Sequence, residues 1–541
     1  MAQRVVLVSF DGLGADALAT HGPLPAFARI ANEGTWVRRM VPVTPSVTST
    51  AHAAILTGTT PDVNGIVANR FHEPGTPWNV VTKGMEAEID GETLLDAARR
   101  QGKRVGCILF PTIDGRTPRR SADWGLAFTM PTEEARLIHF RRADFKEEWV
   151  PPTWTARPSR RVSYSPIMRA RFEWSATDVD LVAYDSTNDG ARNYDLLLVE
   201  NGETELPLDE RRWFPLTRRI DGVLHGAWSK ILQFDPALAN VTLYLGATAR
   251  NDAYPESFRQ WLDDEVGVWP GVPNEALAAE WLAGNDGIDA ETFLEQSDRL
   301  SAFLTRATAL AIERMPFDLL LAYQPGIDEA EHQFLVVLDS QPNATPRNRA
   351  AGERVRRASY QAADRALTAI VAALDPARDA LVVTGDHGVA PIDVEVRPNR
   401  LLQEWGFAPR WKAFASGNVA HLYRTEGDDD RDAVVKKLTA SGYFERVVAP
   451  PANAPRHQNA GDIVAFAHPH IALTAAETGD AVVKPDYYGQ HGAISTHPEL
   501  HTVFGAWGAG VARMTFESAQ QTEVAGYVSR LLGIEAPRPP S

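Results

Sequence analysis

Several short apolar runs in this sequence are each followed closely by an aspartate, and this arrangement constrains the fold more than any other feature. The runs, each with its aspartate, are 5–10 with Asp11, 317–323 with Asp328, and 380–384 with Asp386. Nearly uninterrupted apolar runs of this length are typical of parallel β-strands that are buried on both faces. Helical patterns stand between them, at 24–34, 48–57, 92–101, 290–314 and 350–374. The alternation predicts an α/β protein with a central, mostly parallel sheet flanked by helices.

Two regions depart from this alternation. Residues 136–250 contain short alternating runs separated by turn signals such as Asn188-Asp189-Gly190, a pattern typical of a β-rich insertion. Residues 405–480 mix short strand and helix patterns and predict a small α+β cap. The ranges predicted to form the core are 1–135, 251–404 and 481–535, with 502–507 as the last core strand.

Composition excludes several classes of protein. The chain has 541 residues, of which 44 % are apolar, so it can bury a large core. Its net charge of −16 argues against binding to a nucleic-acid polymer, because such proteins present a basic face. The single cysteine, Cys107, can form neither an internal disulfide nor a multi-cysteine metal site. No apolar stretch approaches the ~20 residues of a membrane helix and none has the form of a signal peptide, so we expect a cytoplasmic protein without membrane contact.

Six aspartate and histidine side chains stand where the ends of core strands would bring them together. They are Asp11, Asp328, His332, Asp386, His387 and His491. Sites in open α/β sheets form outside the carboxyl ends of the strands, and the spacing of Asp328 and His332 places both on one face of a helix. Taken singly each has an ordinary alternative, since Asp11 could cap a turn and His491 could belong to a surface loop. Together they suit two zinc sites, one of them completed by a hydroxyl.

The order of these residues resembles that of the type I phosphodiesterase/nucleotide pyrophosphatase family, within the alkaline-phosphatase superfamily. In that family a nucleophilic threonine lies four residues before a histidine, which corresponds here to Thr48 and His52. A Pro-x-x-x-Gly-Ile segment ending in an asparagine follows, and here it runs from Pro61 to Asn69. The resemblance implies an alkaline-phosphatase-like sandwich fold. It covers about 1–110, 317–400 and 485–512.

The resemblance also implies two Zn²⁺ ions per chain and a role for each residue. One ion would be held by Asp11, Asp386, His387 and Thr48, and the other by Asp328, His332 and His491. Thr48 would attack the phosphorus of a small phosphate ester and form a phosphothreonine intermediate. Asn69 would donate its side-chain amide to a phosphoryl oxygen. His52 is not a ligand in the family, so we expect a structural role for it.

The choice of Thr48 as nucleophile depends on its register against His52 and Asn69. The neighbouring hydroxyls that compete with it are Ser46, Ser49 and Thr50. No other feature of the sequence separates these four side chains.

Two departures from the family pattern bear on the substrate. Ser49 stands where nucleotide-cleaving members usually carry a phenylalanine that stacks on the base, whereas Tyr323 matches a second aromatic residue of the substrate pocket. Related monoesterases bind additional phosphoryl oxygens with a Lys-x-Arg pair, and no lysine here is followed two residues later by arginine. Three arginines that could replace the pair, but that we expect to be exposed, are Arg116, Arg119 and Arg120.

These observations predict a dizinc hydrolase of phosphodiester or nucleotide pyrophosphate bonds, with diesters favoured over monoesters. A phosphomonoesterase or a phosphonate hydrolase on the same metal core is the alternative within the superfamily. An alternative of another class is a binding protein whose region 136–250 recognises a carbohydrate or protein and whose hydrolase core is vestigial. The complete ligand set argues against that alternative.

Overall fold

The computed structural model describes residues 1–148, 163–199, 205–207, 212–427, 430–451 and 456–540. Parts of the predicted insertion and of the predicted cap lie outside these ranges. The chain divides into two compact units, one formed by Met1–Phe128, Ala253–Gln260 and Ser301–Ser541 and the other by Thr129–Asp252 and Trp261–Leu300. The finer division into core, insertion and cap stays a prediction.

The first part of the chain alternates strands and helices. Its strands are β1 (Arg4–Phe10), β2 (Thr35–Val41), β3 (Arg70–Phe71), β4 (Thr82–Lys83), β5 (Val105–Ile108) and β6 (Trp124–Leu126). Its helices are α1 (Ala15–Thr20), α2 (Pro25–Glu33), α3 (Thr48–Thr57), α4 (Pro61–Asn64) and α5 (Leu94–Arg100). Short 3₁₀ helices, here and later, are Pro118–Arg120, Arg142–Asp144 and Pro498–Leu500.

The middle of the chain is rich in strands and is followed by long helices. The strands are β7 (Arg136–Phe140), β8 (Lys146–Glu148), β9 (Ile167–Trp174), β10 (Thr177–Tyr184), β11 (Leu196–Val199), β12 (Glu205–Pro207), β13 (Trp213–Ile220), β14 (Val223–Phe234), β15 (Val241–Leu245), β16 (Ala249–Arg250) and β17 (Ala253–Tyr254). Next come α6 (Glu256–Glu265), α7 (Glu275–Ala283), α8 (Ala290–Arg314), β18 (Leu319–Gln324), α9 (Gly326–Phe334), α10 (Pro346–Ala372) and β19 (Asp379–Gly385).

The last part of the chain adds further small sheets and returns to the core. Its strands are β20 (Ala390–Pro391), β21 (Val394–Val396), β22 (Trp411–Ser416), β23 (Val419–Arg424), β24 (Phe444–Val448), β25 (Ile463–Ala467), β26 (Ile471–Leu473), β27 (Val482–Val483), β28 (Gly489–Gln490), β29 (Thr502–Gly508) and β30 (Met514–Gln520). Its helices are α11 (Pro398–Glu404), α12 (Arg431–Ala440) and α13 (Glu523–Leu532).

A nine-stranded sheet forms the centre of the first unit, and it confirms the predicted α/β class. Its strand order is β17-β6-β5-β18-β1-β19-β29-β2-β30. The five strands from β6 to β19 run parallel, whereas β29 is antiparallel to both of its neighbours. Strand β1 lies in the middle and is buried on both faces, as its apolar run predicts.

Helices cover the two faces of β1. Val5 and Leu7 pack in one cluster with apolar residues of α3, α5 and α13. On the opposite face, the ring of Phe10 contacts that of Phe27 on α2, with centroids 5.5 Å apart. The alternation of side chains along the strand therefore serves two helical layers, which explains why β1 carries no charged residue after Arg4 at its start.

The prediction that 502–507 is the last core strand is wrong. Strand β30 follows it and pairs in parallel with β2 at the edge of the central sheet. Its residues are almost all exposed, including Met514 and Phe516. An edge strand of this kind needs no apolar run, so the pattern that identified the buried strands could not detect it.

The second unit contains two antiparallel sheets, as the alternating pattern predicts. One has the order β12-β11-β10-β9-β8, and the other has β13-β14-β15-β7 with β16 attached to β14. Inward-facing residues of both sheets, such as Trp174, Leu181 and Leu243, form one hydrophobic cluster. Among the described helices of the whole chain, none is both long and apolar enough to cross a bilayer.

Candidate active site

Three strands end at the same level of the central sheet, and this register gathers the candidate acidic residues. Phe10 at the end of β1 pairs with Gln324 of β18 and with Gly385 of β19. Asp11 and Asp386 are the next residues after β1 and β19, and both are buried. Asp328 lies in the first turn of α9, which begins two residues after β18 ends.

A glycine allows the loop after β1 to approach α9 closely. Gly12 has a φ of +69°, and a Cβ atom at this position would lie 2.8 Å from Cα of Asp328. Any larger residue would therefore push α9 away from Asp11. The backbone N–H of Gly12 donates a 3.1 Å hydrogen bond to Oδ1 of Asp386, which joins the loops after β1 and β19.

Asp328, His332 and His491 form one candidate metal-binding group. Nε2 of His332 is 3.2 Å from Oδ2 of Asp328, and Nε2 of His491 is 3.7 Å from Oδ1 of the same carboxylate. Each imidazole is held through its other nitrogen, because Nδ1 of His332 lies 2.7 Å from the carbonyl of Gly489 and Nδ1 of His491 lies 3.1 Å from that of Ser46. Donation from Nδ1 to a carbonyl leaves Nε2 unprotonated, which is the usual arrangement of a metal-binding histidine.

Asp11, Asp328 and His387 form a second candidate group. In each group the potential ligand atoms lie within 4.8 Å of one another. Nε2 of His387 is 3.5 Å from Oδ1 of Asp11 and 3.2 Å from Oδ2 of Asp386. Asp328 thus lies between the two groups, whereas the resemblance assigns it to one ion only.

Three carboxylate oxygens of these groups are suited to a cation. Oδ1 of Asp11, Oδ1 of Asp328 and Oδ2 of Asp386 are buried and accept no hydrogen bond from the residues that the structure describes. A buried carboxylate oxygen without a donor costs free energy, and a bound cation removes that cost. The donor set of carboxylates and imidazoles is the one that zinc prefers.

Burial also sets the protonation of these side chains. It raises the pKa of Asp386 to about 7, and together with the charges of Asp328 and Asp386 it holds the pKa of Asp11 well above its usual range. Burial lowers the pKa of His491 to about 4 and that of His387 well below its ordinary value. The imidazoles are therefore neutral at neutral pH, which is the form that binds a metal, and the crowded carboxylates favour a cation among them.

Thr48 is the first residue of α3 and lies against the second group. Its Oγ1 is 3.3 Å from Nε2 of His387, and its side chain is almost fully buried. The N-terminus of a helix favours a phosphate through its free N–H groups and its dipole. A hydroxyl at this place is positioned to attack a phosphoryl group bound there.

The three competing hydroxyls are placed differently. Ser46 Oγ donates to the carbonyl of Ala493, and Thr50 Oγ1 donates to the carbonyl of Val47. Ser49 is fully buried and faces Gly84, where an added Cβ would lie 2.8 Å from Cβ of Ser49. Of these four hydroxyls, only that of Thr48 contacts a candidate metal ligand among the described residues.

Asn69 is connected to the start of α3. Its Oδ1 accepts a 2.9 Å hydrogen bond from the backbone N–H of Ser49. Its backbone carbonyl accepts a 2.9 Å bond from the N–H of Gly84. Among the described residues, no atom accepts a hydrogen bond from its Nδ2, which is therefore the donor left for a ligand.

His52 is the fifth residue of α3 and is fully buried. Nδ1 lies 2.8 Å from the carbonyl of Thr48, and Nε2 lies 2.9 Å from Oγ of Ser9 on β1. Burial lowers its pKa to about 4, so the ring is neutral. The Nδ1 contact lies within α3, whereas the Nε2 contact joins α3 to β1, and this agrees with the expected structural role of His52.

Tyr323 is buried beside Asp11. Its hydroxyl donates a short hydrogen bond to Oδ2 of Asp11, and only 2 % of the residue is exposed. Its ring lies between those of His52 and Phe128, with centroids 5.5 and 6.3 Å away. The contact with Asp11 orients a candidate ligand, a role that the sequence did not suggest, whereas contact with substrate stays a prediction.

Sequence reasoning missed two residues near the site. Phe128 lies two residues after β6, and its ring contacts that of Tyr323. It is 36 % exposed, so it is the more accessible of the two rings. Gln521 accepts from the N–H of Val43 at 3.2 Å and donates to the carbonyl of Asp386 at 2.7 Å, so it supports a ligand-bearing loop. Neither belongs to a motif, and their positions depend on contacts that are distant in sequence.

The three arginines that could replace the Lys-x-Arg pair are placed differently, and one of them is already bonded within the protein. Arg120 is 5 % exposed, so the expectation that it is exposed is wrong. Its guanidinium donates to the backbone carbonyls of Thr112, Met85 and Glu86, and it lies 3.2 Å from the carboxylate of Asp114. It holds two loops together. Arg116 and Arg119 are exposed, as expected.

Comparison with known proteins gives a family match and several relatives. A family model described as type I phosphodiesterase / nucleotide pyrophosphatase matches residues 5–200 and 226–494. An uncharacterised pyrophosphatase/phosphodiesterase of Schizosaccharomyces pombe is 27 % identical over 172 residues, which are 30 % of this chain and 33 % of the relative. Human ectonucleotide pyrophosphatase/phosphodiesterase family member 1 is 32 % identical over 114 residues, 20 % of this chain and 12 % of the relative. The chain thus spans about a third or less of the length of these relatives.

Solved structures show a similar fold. Murine ectonucleotide pyrophosphatase/phosphodiesterase 5, an inactive variant in complex with AMP, aligns over 99 % of this chain and 96 % of its own. The TM-score is 0.53 at 16 % sequence identity. The human protein gives a TM-score of 0.52 at 15 % identity. These likenesses confirm the predicted fold.

Proposed function

Because this chain belongs to the type I phosphodiesterase / nucleotide pyrophosphatase family, we propose that it hydrolyses a phosphodiester or nucleotide pyrophosphate bond, with Thr48 as nucleophile and two zinc ions as cofactors. The observation that carries the proposal is the 3.3 Å contact between Oγ1 of Thr48 and Nε2 of His387, at the start of a helix and beside two candidate metal groups. If the chain were instead a binding protein with a vestigial hydrolase core, natural selection would have no reason to keep a hydroxyl beside these candidate metal ligands.

In the proposal, Asp328, His332 and His491 hold one zinc ion. The other is held by Asp11, Asp386, His387 and Thr48. When bound, zinc supplies positive charge that lowers the pKa of a hydroxyl and neutralises charge on a phosphoryl group. The unsatisfied carboxylate oxygens and the neutral imidazoles are the properties of these side chains that support the assignment.

The chain's own residues then carry the reaction. Oγ1 of Thr48 forms a bond to phosphorus while the bond to the leaving oxygen breaks, which gives a phosphothreonine, and the proton of the hydroxyl passes through solvent to the leaving oxygen. Nδ2 of Asn69 donates to a non-bridging phosphoryl oxygen whose charge grows during the attack. Water then forms the new bond to phosphorus, the bond to Oγ1 breaks, and one proton of that water goes to Oγ1 of Thr48.

The nature of the substrate's organic group is part of the proposal. The murine neighbour binds AMP, which makes a nucleotide group one candidate for this chain. Ser49 cannot stack on a base, because it is buried against Gly84. We therefore place an aryl or other small diester ahead of a nucleotide.

The test is turnover by the zinc-loaded protein. Bis-p-nitrophenyl phosphate, p-nitrophenyl phosphate, a phosphonate and a nucleotide would be assayed side by side, before and after removal of metal by a chelator. We expect the diester to be hydrolysed, the activity to disappear with the metal and to return with zinc. Absence of turnover on all four compounds by folded, zinc-loaded protein would favour the binding protein instead.

A further inference from the structure

One edge of the central sheet has no neighbouring strand among the described residues, and we propose that it pairs with the same edge of a second copy of this chain. Strand β30 ends the strand order and pairs with β2 on its other side. Such an edge presents a row of unused N–H and C=O groups, which proteins protect with proline, lysine or a bulge. The sequence of β30, MTFESAQ, contains neither proline nor lysine. The inference does not depend on the proposed hydrolysis.

The backbone of β30 turns alternate residues toward the free edge. The N–H of Met514 donates to the carbonyl of Gly34 at 3.1 Å, so the polar backbone groups of Met514 face β2. The N–H and C=O of one residue point to the same side of a strand, and those of the next residue point to the other side. The backbone groups of Thr515 and Glu517 therefore point away from β2, into the space that a further strand would occupy.

A two-fold axis through Thr515 defines the proposed pairing. In an antiparallel pair centred there, the two copies of Thr515 exchange both of their backbone hydrogen bonds. Arg513, which directly precedes β30 and is exposed, then lies opposite Glu517 of the other copy, and the symmetry produces this contact twice. Opposite charges that face each other across two strands stabilise the pair. Within its own chain Glu517 lies 3.7 Å from Arg38 in an exposed ion pair, which is worth little.

The exposed apolar residues of the strand meet in the same pairing. Met514 is 49 % exposed and Phe516 is 43 % exposed. Both side chains point to the sheet face opposite to that of Thr515, because side chains alternate along a strand. In the antiparallel pair, Met514 of each copy lies opposite Phe516 of the other, at the closer, non-hydrogen-bonded position. The pairing therefore removes from water two large apolar side chains of each copy.

The other symmetric registers are less favourable. A two-fold axis through Glu517 would place the two copies of this carboxylate opposite each other, which destabilises a pair. An axis through Ala519 would oppose Glu517 to Gln521, which is buried within its own chain. Of the outward-facing residues of β30, Thr515 is the one about which unlike charges meet. This self-complementary spacing of charge identifies a second copy, rather than an unrelated protein, as the partner.

The experiment is analytical ultracentrifugation of the full chain over a wide range of protein concentrations, in which we expect a reversible dimer. Arg513→Glu and Glu517→Arg each place like charges opposite each other twice, so each should weaken the dimer at least about tenfold. The variant that carries both substitutions restores unlike charges and should recover most of the lost affinity. Arg354→Glu, at an exposed position on α10, is the control for the change in net charge and should leave the dimer unchanged.

Thr515→Pro provides a test that does not involve charge. It removes the N–H at the centre of the pairing, and an edge strand tolerates proline where the N–H points outward. We expect this variant to lose the dimer and to keep the circular dichroism spectrum of the parent. The charge variants alter exposed side chains, so they keep the test decisive if Thr515→Pro fails to fold.

Four results would overturn the proposal. The parent could be monomeric at every concentration, or the double variant could stay as weak as the single ones. The dimer could persist in folded Thr515→Pro, which would place the interface elsewhere. Finally, Arg354→Glu could weaken the dimer as much as Arg513→Glu does, which would make net charge, and not this pairing, the cause of association.

Discussion

The backbone N–H of Ser49 donates a hydrogen bond of 2.9 Å to Oδ1 of Asn69. This bond determines which end of the amide faces α3, because only the carbonyl oxygen can accept it. Nδ2 is then the end of the side chain that remains for substrate. The same bond ties Asn69 to the residue that follows Thr48, so the proposed nucleophile and the proposed donor are positioned together.

Substitution of Asn69 tests whether it donates to substrate or only supports the backbone. We expect Asn69→Ala to cost ~2–4 kcal/mol of transition-state stabilisation, mostly in kcat. Asn69→Asp is the informative companion, since a carboxylate still accepts from Ser49 but cannot donate. Steady-state kinetics should show that the Asp variant is at least as impaired as the Ala variant. Full activity of Asn69→Asp would assign Asn69 a backbone role alone.

Because Ser49 is buried, we expect a larger side chain at this position to destabilise the protein and a smaller one to be tolerated. A phenylalanine there, as in nucleotide-cleaving relatives, would collide with Gly84 and its neighbours. We expect Ser49→Phe to lower the free energy of unfolding by ~1–3 kcal/mol, as overpacking usually does. Ser49→Ala should be tolerated, because Oγ of Ser49 has no hydrogen-bond partner among the described residues. Denaturant unfolding checks both, and a stable Ser49→Phe protein with improved nucleotide turnover would contradict the packing argument.

The proposed nucleophile can be tested with a matched hydroxyl. Thr48→Ala should reduce kcat by at least about 1,000-fold while metal content and fold are kept, and Thr48→Ser should retain part of the activity. Ser46→Ala is the control, because its hydroxyl donates to the carbonyl of Ala493 and faces no candidate ligand. The kinetics of the three variants with an aryl diester, together with elemental analysis, decide the point. Equal losses in Thr48→Ala and Ser46→Ala would reject Thr48 as nucleophile.

The candidate ligands could be predicted from the sequence because strand ends carry them. Asp11 and Asp386 directly follow apolar runs, so recognition of the runs was enough to place both at one edge of the sheet. Asp328 and His332 have a spacing that any helix converts into one face. Patterns of such short range can be recognised in the sequence without knowledge of the tertiary structure.

Other features depend on contacts that no local pattern records. Ser49 is buried against Gly84, which is distant in sequence. The hydroxyl of Tyr323 on β18 donates to Asp11, which follows the neighbouring strand β1. Arg120 is buried because three backbone carbonyls surround its guanidinium, although composition suggests an exposed residue. Edge strand β30 lacks the apolar run that a buried strand requires. In each case tertiary packing, not local propensity, decides the outcome.

Removal of the metal should lower the free energy of unfolding, because the buried carboxylates then lack a cation. Burial raises the pKa of Asp386 to about 7 in the metal-free protein, so the folded state binds a proton that the unfolded state has lost. Its contribution therefore favours folding at low pH and is lost as pH rises from about 4 to about 7. In excess chelator, Asp386→Asn should be more stable than the parent above pH 7, and this difference should shrink toward pH 4. Thermal unfolding at several pH values measures it, and a constant difference would contradict the assigned shift.

The preference for diesters that we expect rests on the cationic groups available in the described part of the chain. A monoester carries a second negative charge, and a site that binds it needs an additional cationic donor. Arg120 cannot serve, since its guanidinium is already bonded to the carbonyls of Thr112, Met85 and Glu86. A diester carries one charge and a second organic group, for which the accessible ring of Phe128 beside Tyr323 offers an apolar surface.

We therefore expect kcat/KM for bis-p-nitrophenyl phosphate to exceed that for p-nitrophenyl phosphate by at least about tenfold, or about 1.4 kcal/mol. The same preparation of Thr48→Ala, assayed in parallel, corrects both values for contaminating phosphatases. Phe128→Ala should lower kcat/KM for the diester more than for the monoester, because only the diester has a second aryl group to pack on that ring. A preference for the monoester, unchanged by Phe128→Ala, would overturn the diesterase assignment and leave the two metal groups standing.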